Sequence, residues 1–322
     1  MLDLAEEWVW DFWHAHDGER HHAFFLKAPR SLEDPDRRHT HARVGHAVSS
    51  DLVSWTMLPD ALHPQPHPAF DDLATWTGSV VRDDDGLWWM FTSGINRHHR
   101  ERLQRIGAAT SRDLVTWERT GLVLEADARW YAASGDADGE VHWRDPFVVR
   151  DTAGLWHLYA TAKVQGTRGN GVVAHATSSD LHHWEIRPPL APAIGRFDQL
   201  EVVSLAQVDG QWDLIFSCLG AEMPDAGPGQ GGVWSVPVDG PGAPVDVRLA
   251  TRLTSEDLYV GRAVRVPEGW RFLAFVNRDE DGAFQGGLTD PIHLARDPAT
   301  RQLMLRGAPD RWMPSDGPRA CW

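Results

Sequence analysis

Ala23-Phe24-Phe25-Leu26, Trp89-Met90-Phe91-Thr92, His157-Leu158-Tyr159-Ala160, Asp213-Leu214-Ile215-Phe216 and Arg271-Phe272-Leu273-Ala274-Phe275 are five versions of one short apolar strand. Fourteen residues before Phe25, Phe91 and Tyr159 stand Asp11, Thr77 and Asp145; fifteen before Phe216 and Phe275 stand Glu201 and Val260. In a radial repeat, equal phase means equal distance from the axis. The carboxyls of Asp11, Asp145 and Glu201 are therefore expected to meet in one central pocket.

A second phrase recurs with a matching period. Ser50-Asp51-Leu52-Val53-Ser54-Trp55 returns as Arg112-Asp113-Leu114-Val115-Thr116-Trp117 and as Ser179-Asp180-Leu181-His182-His183-Trp184, with the aspartates 62 and 67 residues apart. Each follows a short run such as Val44-Gly45-His46-Ala47-Val48-Ser49, which reads as a third strand, an Asp-led turn and the start of an outer strand. In such a turn the carboxylate accepts backbone N–H groups, and the Trp is expected to close the outer sheet edge. Asp83-Asp84-Asp85-Gly86, Asp151-Thr152-Ala153-Gly154, Asp209-Gly210 and Pro267-Glu268-Gly269 each sit just before an apolar strand, as hairpin turns do.

Helical periodicity is nearly absent, and Trp, Val and Thr favour strands. Propeller blades run to about 40–50 residues in familiar repeats, so the longer spacing here implies long loops. The expected fold is all-β, a single five-bladed β-propeller over 1–322 with a central pocket and little room for an added domain. Gly220–Gly242 reads as a long loop and the return of blade four. The fourth and fifth copies lack the Asp-Leu-x-x-Trp turn; Leu253-Thr254-Ser255 or Ile292-His293-Leu294 are the candidates for their outer strands.

The formal charge of −15 argues against nucleic acid or anionic membranes as partners. Two cysteines, Cys218 and Cys321, make neither a disulfide framework nor a thiolate cluster. Met1–Glu7 carries three acids and no apolar run, which argues against a secretory signal and for a cytoplasmic protein. His14, His16, His21, His22 and His39-Thr40-His41 match no compact metal-ligand spacing and read as surface loops. No metal or cofactor is expected, although an ion in the central channel stays open.

Each acid also has a bland reading. Asp11, in Trp8-Val9-Trp10-Asp11-Phe12-Trp13, suits a turn; Asp145, in Trp143-Arg144-Asp145-Pro146, suits a salt-bridged strand entry. Glu201 interrupts the apolar Leu200-Glu201-Val202-Val203, where an unpaired carboxylate is costly. Shared phase favours a common role, and acids gathered in one pocket point to glycoside chemistry.

The residues also resemble the five-bladed furanosidase superfamily, most nearly the β-fructosidase and levansucrase clan, glycoside hydrolase families 32 and 68, and more distantly family 43. Val9-Trp10-Asp11-Phe12-Trp13 is similar to the V-W-D-x-W in which the aspartate is the nucleophile. Arg144-Asp145-Pro146 resembles the R-D-P whose aspartate stabilises the transition state. Glu201 matches the acid/base glutamate of the E-C motif. Trp76-Thr77-Gly78-Ser79 is similar to the aromatic-S-G-S bordering the sugar, Gly45-His46-Ala47-Val48-Ser49-Ser50-Asp51-Leu52 to W-G-H-A-x-S-x-D-L, and Asp257-Leu258-Tyr259 to D-F-Y. The N-D-P-N-G of family 32 is absent, and so is the E-G-P expected of arabinanases and xylosidases.

The resemblance implies a retaining, exo-acting β-fructofuranosidase on sucrose or short fructo-oligosaccharides. Asp11 would be the nucleophile, Glu201 the acid/base and Asp145 the transition-state stabiliser. Trp10, Trp13, His46, Trp76, Thr77, Arg144, Asp257 and Tyr259 would contact substrate, with Trp130 a further sugar platform. Three alternatives stay open: an inverting arabinofuranosidase or xylosidase, a fructosyltransferase, and a non-catalytic carbohydrate-binding propeller.

Overall fold

The computed structural model describes residues 1–135 and 139–315; Cys321 lies outside them. Among the described residues, five antiparallel sheets are each built from four consecutive strands. Blade one holds β1 (Glu7–His16), β2 (His21–Pro29), β3 (Arg43–Ser49) and β4 (Thr56–Leu62). Blade two holds β5 (Ala74–Arg82), β6 (Trp88–Asn96), β7 (Arg100–Ser111) and β8 (Glu118–Leu124). Blade three follows with β9 (Trp143–Arg150), β10 (Trp156–Lys163), β11 (Gly171–Ser178) and β12 (Glu185–Ala191). Blade four has β13 (Glu201–Val208), β14 (Gln211–Cys218), β15 (Gly232–Val238) and β16 (Thr251–Arg252). Blade five ends the ring with β17 (Leu258–Val266), β18 (Gly269–Val276), β19 (Ile292–Arg296) and β20 (Leu303–Arg306). First strands of successive blades touch one another, and β1 meets β17, so the five sheets close into a β-propeller.

The apolar repeat is the second strand of each blade. β10 is buried at all eight positions, and β2 at all but its last. A strand covered on both faces, here by the neighbouring blades, reads as a continuous apolar run instead of an alternating one. Outer strands such as β8 and β12 bury only their last residue. β15 lies inside the Gly- and Pro-rich stretch 220–242. In blade five, Ile292–Arg296 is the third strand and β20 the outermost, while Leu253–Ser255 is connection, not strand.

The Asp-led turns form as expected. Asp51 Oδ1 accepts from the N–H groups of Val53 (2.8 Å) and Ser54 (2.7 Å), and Asp113 and Asp180 repeat the pattern. The tryptophans of the second and third turns reach to the preceding blade instead of closing their own sheet edge. Trp117 stands edge-on to Phe24 of blade one (5.7 Å between ring centres), and Trp184 stands edge-on to Phe91 of blade two (5.5 Å). In blades two and three the turn therefore fastens the blade to the one before it.

At the hub the fastening is polar. Ser93 on β6 accepts the N–H of Asp145 (2.7 Å), Thr161 on β10 that of Val202 (3.3 Å), and Ser217 on β14 that of Val260 (2.9 Å). The last and first blades are joined by Leu2 and Leu288, which exchange backbone bonds of 3.1 and 2.9 Å. A buried N–H stripped of its acceptor costs about 1–3 kcal/mol. Ser217→Ala should lower the unfolding free energy by about that amount, and Ser217→Thr should recover most of it; urea titration at neutral pH reads both.

Candidate active site

All five first strands carry one extra residue at the same height. The register slips between Trp10 and Phe12, Thr75 and Gly78, Arg144 and Phe147, Glu201 and Ser204, and Tyr259 and Arg262. Such a bulge re-aims side chains. Asp11 (φ 30°), Asp145 (58°), Val202 (52°) and Val260 (53°) adopt left-handed backbone there. In blade two Thr77 takes the equivalent place, and the next residue must be glycine, since a Cβ on Gly78 would collide with the Phe91 carbonyl oxygen.

Two tiers result. The bulge tier runs Asp11, Thr77, Asp145, Val202, Val260; the tier one residue earlier runs Trp10, Trp76, Arg144, Glu201, Tyr259. Glu201 thus does not share the phase of the two aspartates: counting fourteen back from Phe216 gives Val202. The three acids nevertheless line one cavity of about 490 Å³, because both tiers face it. That volume suits a small saccharide.

Arg144 organises the acids. Its Nε lies 3.3 Å from Asp145 Oδ2, and Nη2 reaches both Glu201 Oε1 and, at 3.1 Å, Gln199 Oε1. Nη1 bonds Gln104 Oε1 (3.2 Å) and the His142 ring (2.9 Å). Tyr259 donates its hydroxyl to Glu201 Oε2 (2.6 Å), so Glu201 is a paired carboxylate and not the lone acid its apolar context suggested. Thr161 donates to Asp145 Oδ2 (3.0 Å), while Asp11 Oδ2 accepts from the Thr77 hydroxyl.

Burial, then the charge of Asp145, pushes the Asp11 carboxyl up to about 7; Glu201 adds to the rise, while the Thr77 bond and Arg38 oppose it. Burial lifts Asp145 to about 6 although Arg144 pulls it down. Burial alone would lower Arg144, but Glu201 and Asp145 outweigh it and hold the guanidinium above its ordinary value. Glu222, in the connection after β14, is raised to about 8 by burial and then by Glu201.

Trp10, Trp76, Thr77, Arg144 and Tyr259 all line the cavity. Four expected contacts do not. Trp13 is buried in blade one, stacked on Phe24 at 6.2 Å. His46 is fully buried between Phe24 (4.4 Å) and His22, whose Nδ1 lies 2.9 Å from His46 Nε2. Asp257 stays off the cavity wall; its backbone carbonyl accepts the N–H of Asn277 (2.7 Å). Trp130 is 40% exposed outside the cavity.

The histidines are not all surface residues either. His21 and His22 are core, and His22 Nε2 lies 3.0 Å from Asp17. The same Asp–His–His chain recurs in blade three as Asp151, His157 and His175 (3.3 and 2.9 Å). His39 lines the cavity, and its carbonyl accepts Trp76 Nε1 (2.7 Å).

Sequence reasoning also missed cavity residues supplied by connections: Arg38 from Pro35–His41, His142 from the segment before β9, and Glu222. His39, beside Arg38, had been read only as a surface-loop histidine.

The raised Asp11 carboxyl has a consequence for stability. Between its unfolded value of 3.8 and about 7 the folded chain binds the extra proton, so stability falls as pH rises through that window. Asp11→Asn should therefore stabilise the fold above pH ~7 and lose that advantage toward pH ~4; thermal melts at both pH values read the difference.

A solved inulosucrase from Halalkalicoccus jeotgali superposes with a TM-score of 0.70 over 94% of this chain and 87% of its own, at 21% identity. A family 32 β-fructofuranosidase of Bombyx mori gives 0.68 over 95% of this chain and 64% of its own, at 18% identity. At those identities the likeness speaks for the fold. A sucrose-6-phosphate hydrolase of Escherichia coli is 28% identical over 186 residues, 52% of this chain and 35% of its own length. A fructan 6-exohydrolase of Triticum aestivum is 30% identical over 148 residues, 44% of this chain and 23% of its own. The chain spans about a third of the length of the first curated relatives it matches. Residues 14–230 match the glycosyl hydrolases family 32 N-terminal domain, and the chain belongs to that family.

Proposed function

We propose that this protein is a retaining, exo-acting β-fructofuranosidase that cleaves sucrose or short fructo-oligosaccharides. The single observation that carries the reading is the meeting of Asp11, Asp145 and Glu201 in one sugar-sized cavity of a family 32 chain. In this reading Asp11 attacks the anomeric carbon of the fructosyl unit and forms a covalent ester. Glu201, as general acid, gives a proton to the leaving oxygen; it later takes one from the water that displaces Asp11. Retention calls for the two carboxyls about 5–5.5 Å apart across the bound sugar.

Asp145 accepts hydrogen bonds from ring hydroxyls, and these strengthen as positive charge develops on the ring. Arg144 holds Asp145 and Glu201 in register; Tyr259 steadies the second oxygen of Glu201. Trp10 and Trp76 supply apolar faces for the sugar. The wall carries Asp11, Asp36, Glu140, Asp145, Glu201 and Glu222 against Arg38 and Arg144, an acid excess that favours a neutral sugar over a phosphorylated one.

The experiment is fructose release from sucrose and kestose, with NMR of the first fructose anomer formed. Asp11→Asn and Glu201→Gln should each abolish turnover while melting cooperatively, and the first product should retain the β configuration. Normal turnover in either variant rejects the assignment, and an α first product rejects retention.

A further inference from the structure

We infer that Arg38, in the connection between β2 and β3, is a further substrate contact that donates to a hydroxyl oxygen of the sugar seated over Asp11. The inference rests on the fructosidase reading. Arg38 lines the cavity, and its side chain is only 12% exposed. Its guanidinium lies 4.0 Å from the Phe284 ring centre and 5.6 Å from that of Trp10, so its plane is set by aromatic neighbours.

The donor inventory is incomplete. Nη1 gives one bond to the Pro35 carbonyl (2.8 Å) and lies 3.5 Å from Asp36, which is itself 93% exposed and a weak, screened partner. Nε is buried, with no acceptor among the described residues. Arg144, by contrast, spreads its donors over Asp145, Glu201, Gln199, Gln104 and His142. A buried guanidinium with an idle donor is costly unless something arrives to accept from it.

The ligand's chemistry follows from the surroundings. A guanidinium only donates, so it meets an oxygen lone pair. Asp11, Asp145 and Glu201 line the same cavity and repel an anion, which leaves a neutral hydroxyl. A hydroxyl that accepts from Arg38 can pass its own proton toward one of those carboxylates, and the two bonds reinforce each other.

Arg38 also acts on Asp11 at a distance. Asp11 faces the acids Asp145 on β9 and Glu201 on β13, the cations Arg38 and Arg262, and the Thr77 hydroxyl. Arg262, on β17, is tied to the Phe12 and Val203 carbonyls (3.2 and 3.0 Å). Removing Arg38 leaves the two like charges less opposed, so Asp11 ionises at higher pH.

The test is steady-state kinetics on sucrose across pH for Arg38→Met and Arg38→Lys. Arg37→Met is the control, since Arg37 is exposed on the same segment. Arg38→Met should lower kcat/KM about ten- to a hundredfold, mainly through KM. Its acidic limb should move to higher pH, and added methylguanidinium should restore part of the rate. Arg38→Lys keeps the charge but loses the planar fork, so the limb should return while KM stays raised. Arg37→Met should match the wild type.

Wild-type kinetics in Arg38→Met overturn the inference. So does a loss of activity with an unmoved limb and no response to methylguanidinium, the pattern of a residue that only props the loop. If the wild type cleaves no β-fructoside, the fructosidase reading fails on its own account. Calorimetry with sucrose and arabino-oligosaccharides then decides: weaker binding by Arg38→Met keeps the contact, and equal or absent binding in both proteins removes it.

Discussion

The extra residue in each first strand is the constraint on which the site depends. A regular strand would send successive side chains to opposite faces, so neighbouring positions could not both look at the axis. The bulge breaks that alternation at one height in all five blades, and both tiers then line the hub. Left-handed backbone at a β-branched residue is unfavourable, as at Val202 and Val260. The hydroxyls of Thr161 and Ser217, each from the preceding blade, satisfy the N–H groups exposed there. Blade closure and site geometry are therefore one set of contacts.

Within that frame the cavity's electrostatics are uneven by construction. One guanidinium, Arg144, serves two of the three acids, while Asp11 is left with a neutral hydroxyl from Thr77. Both aspartates are pushed upward by burial, but only Asp145 has a cation in contact to draw it back. Three carboxyls around a small cavity repel one another and work against the fold. That repulsion is tolerated because it is concentrated where a sugar's hydroxyls and developing positive charge can use it.

What could be read from the residues was whatever the chain repeats. The apolar second strands are legible because burial on both faces writes itself as Phe, Leu and Ala without alternation. The Asp-Leu-x-x-Trp turns are legible because the carboxylate does one local job, capping two N–H groups. Asp145 is legible through Arg144 and Pro146 on either side. Misreadings came where position in space departs from position in sequence. His46 was expected to touch substrate, yet its strand is the third of its blade, and its ring packs on Phe24 and His22. Glu201 was found through a count one residue out of phase, which did no harm because both tiers face inward. Arg38, His142 and Glu222 belong to connections, whose paths no periodicity describes.

The two tiers also divide the labour. Asp is among the few residues other than glycine that accept left-handed backbone readily, so Asp11 and Asp145 meet a conformational demand and a chemical one with the same side chain. The other tier carries no left-handed residue and holds Trp10, Trp76, Arg144, Glu201 and Tyr259, four kinds of side chain on equivalent backbone. Changing one of those alters what the cavity grips without asking the strand to adopt a new shape. Changing an aspartate of the bulge tier alters both at once. Divergence in substrate is therefore easier in the tier that contains Glu201, and the two aspartates are the part of the hub least free to vary.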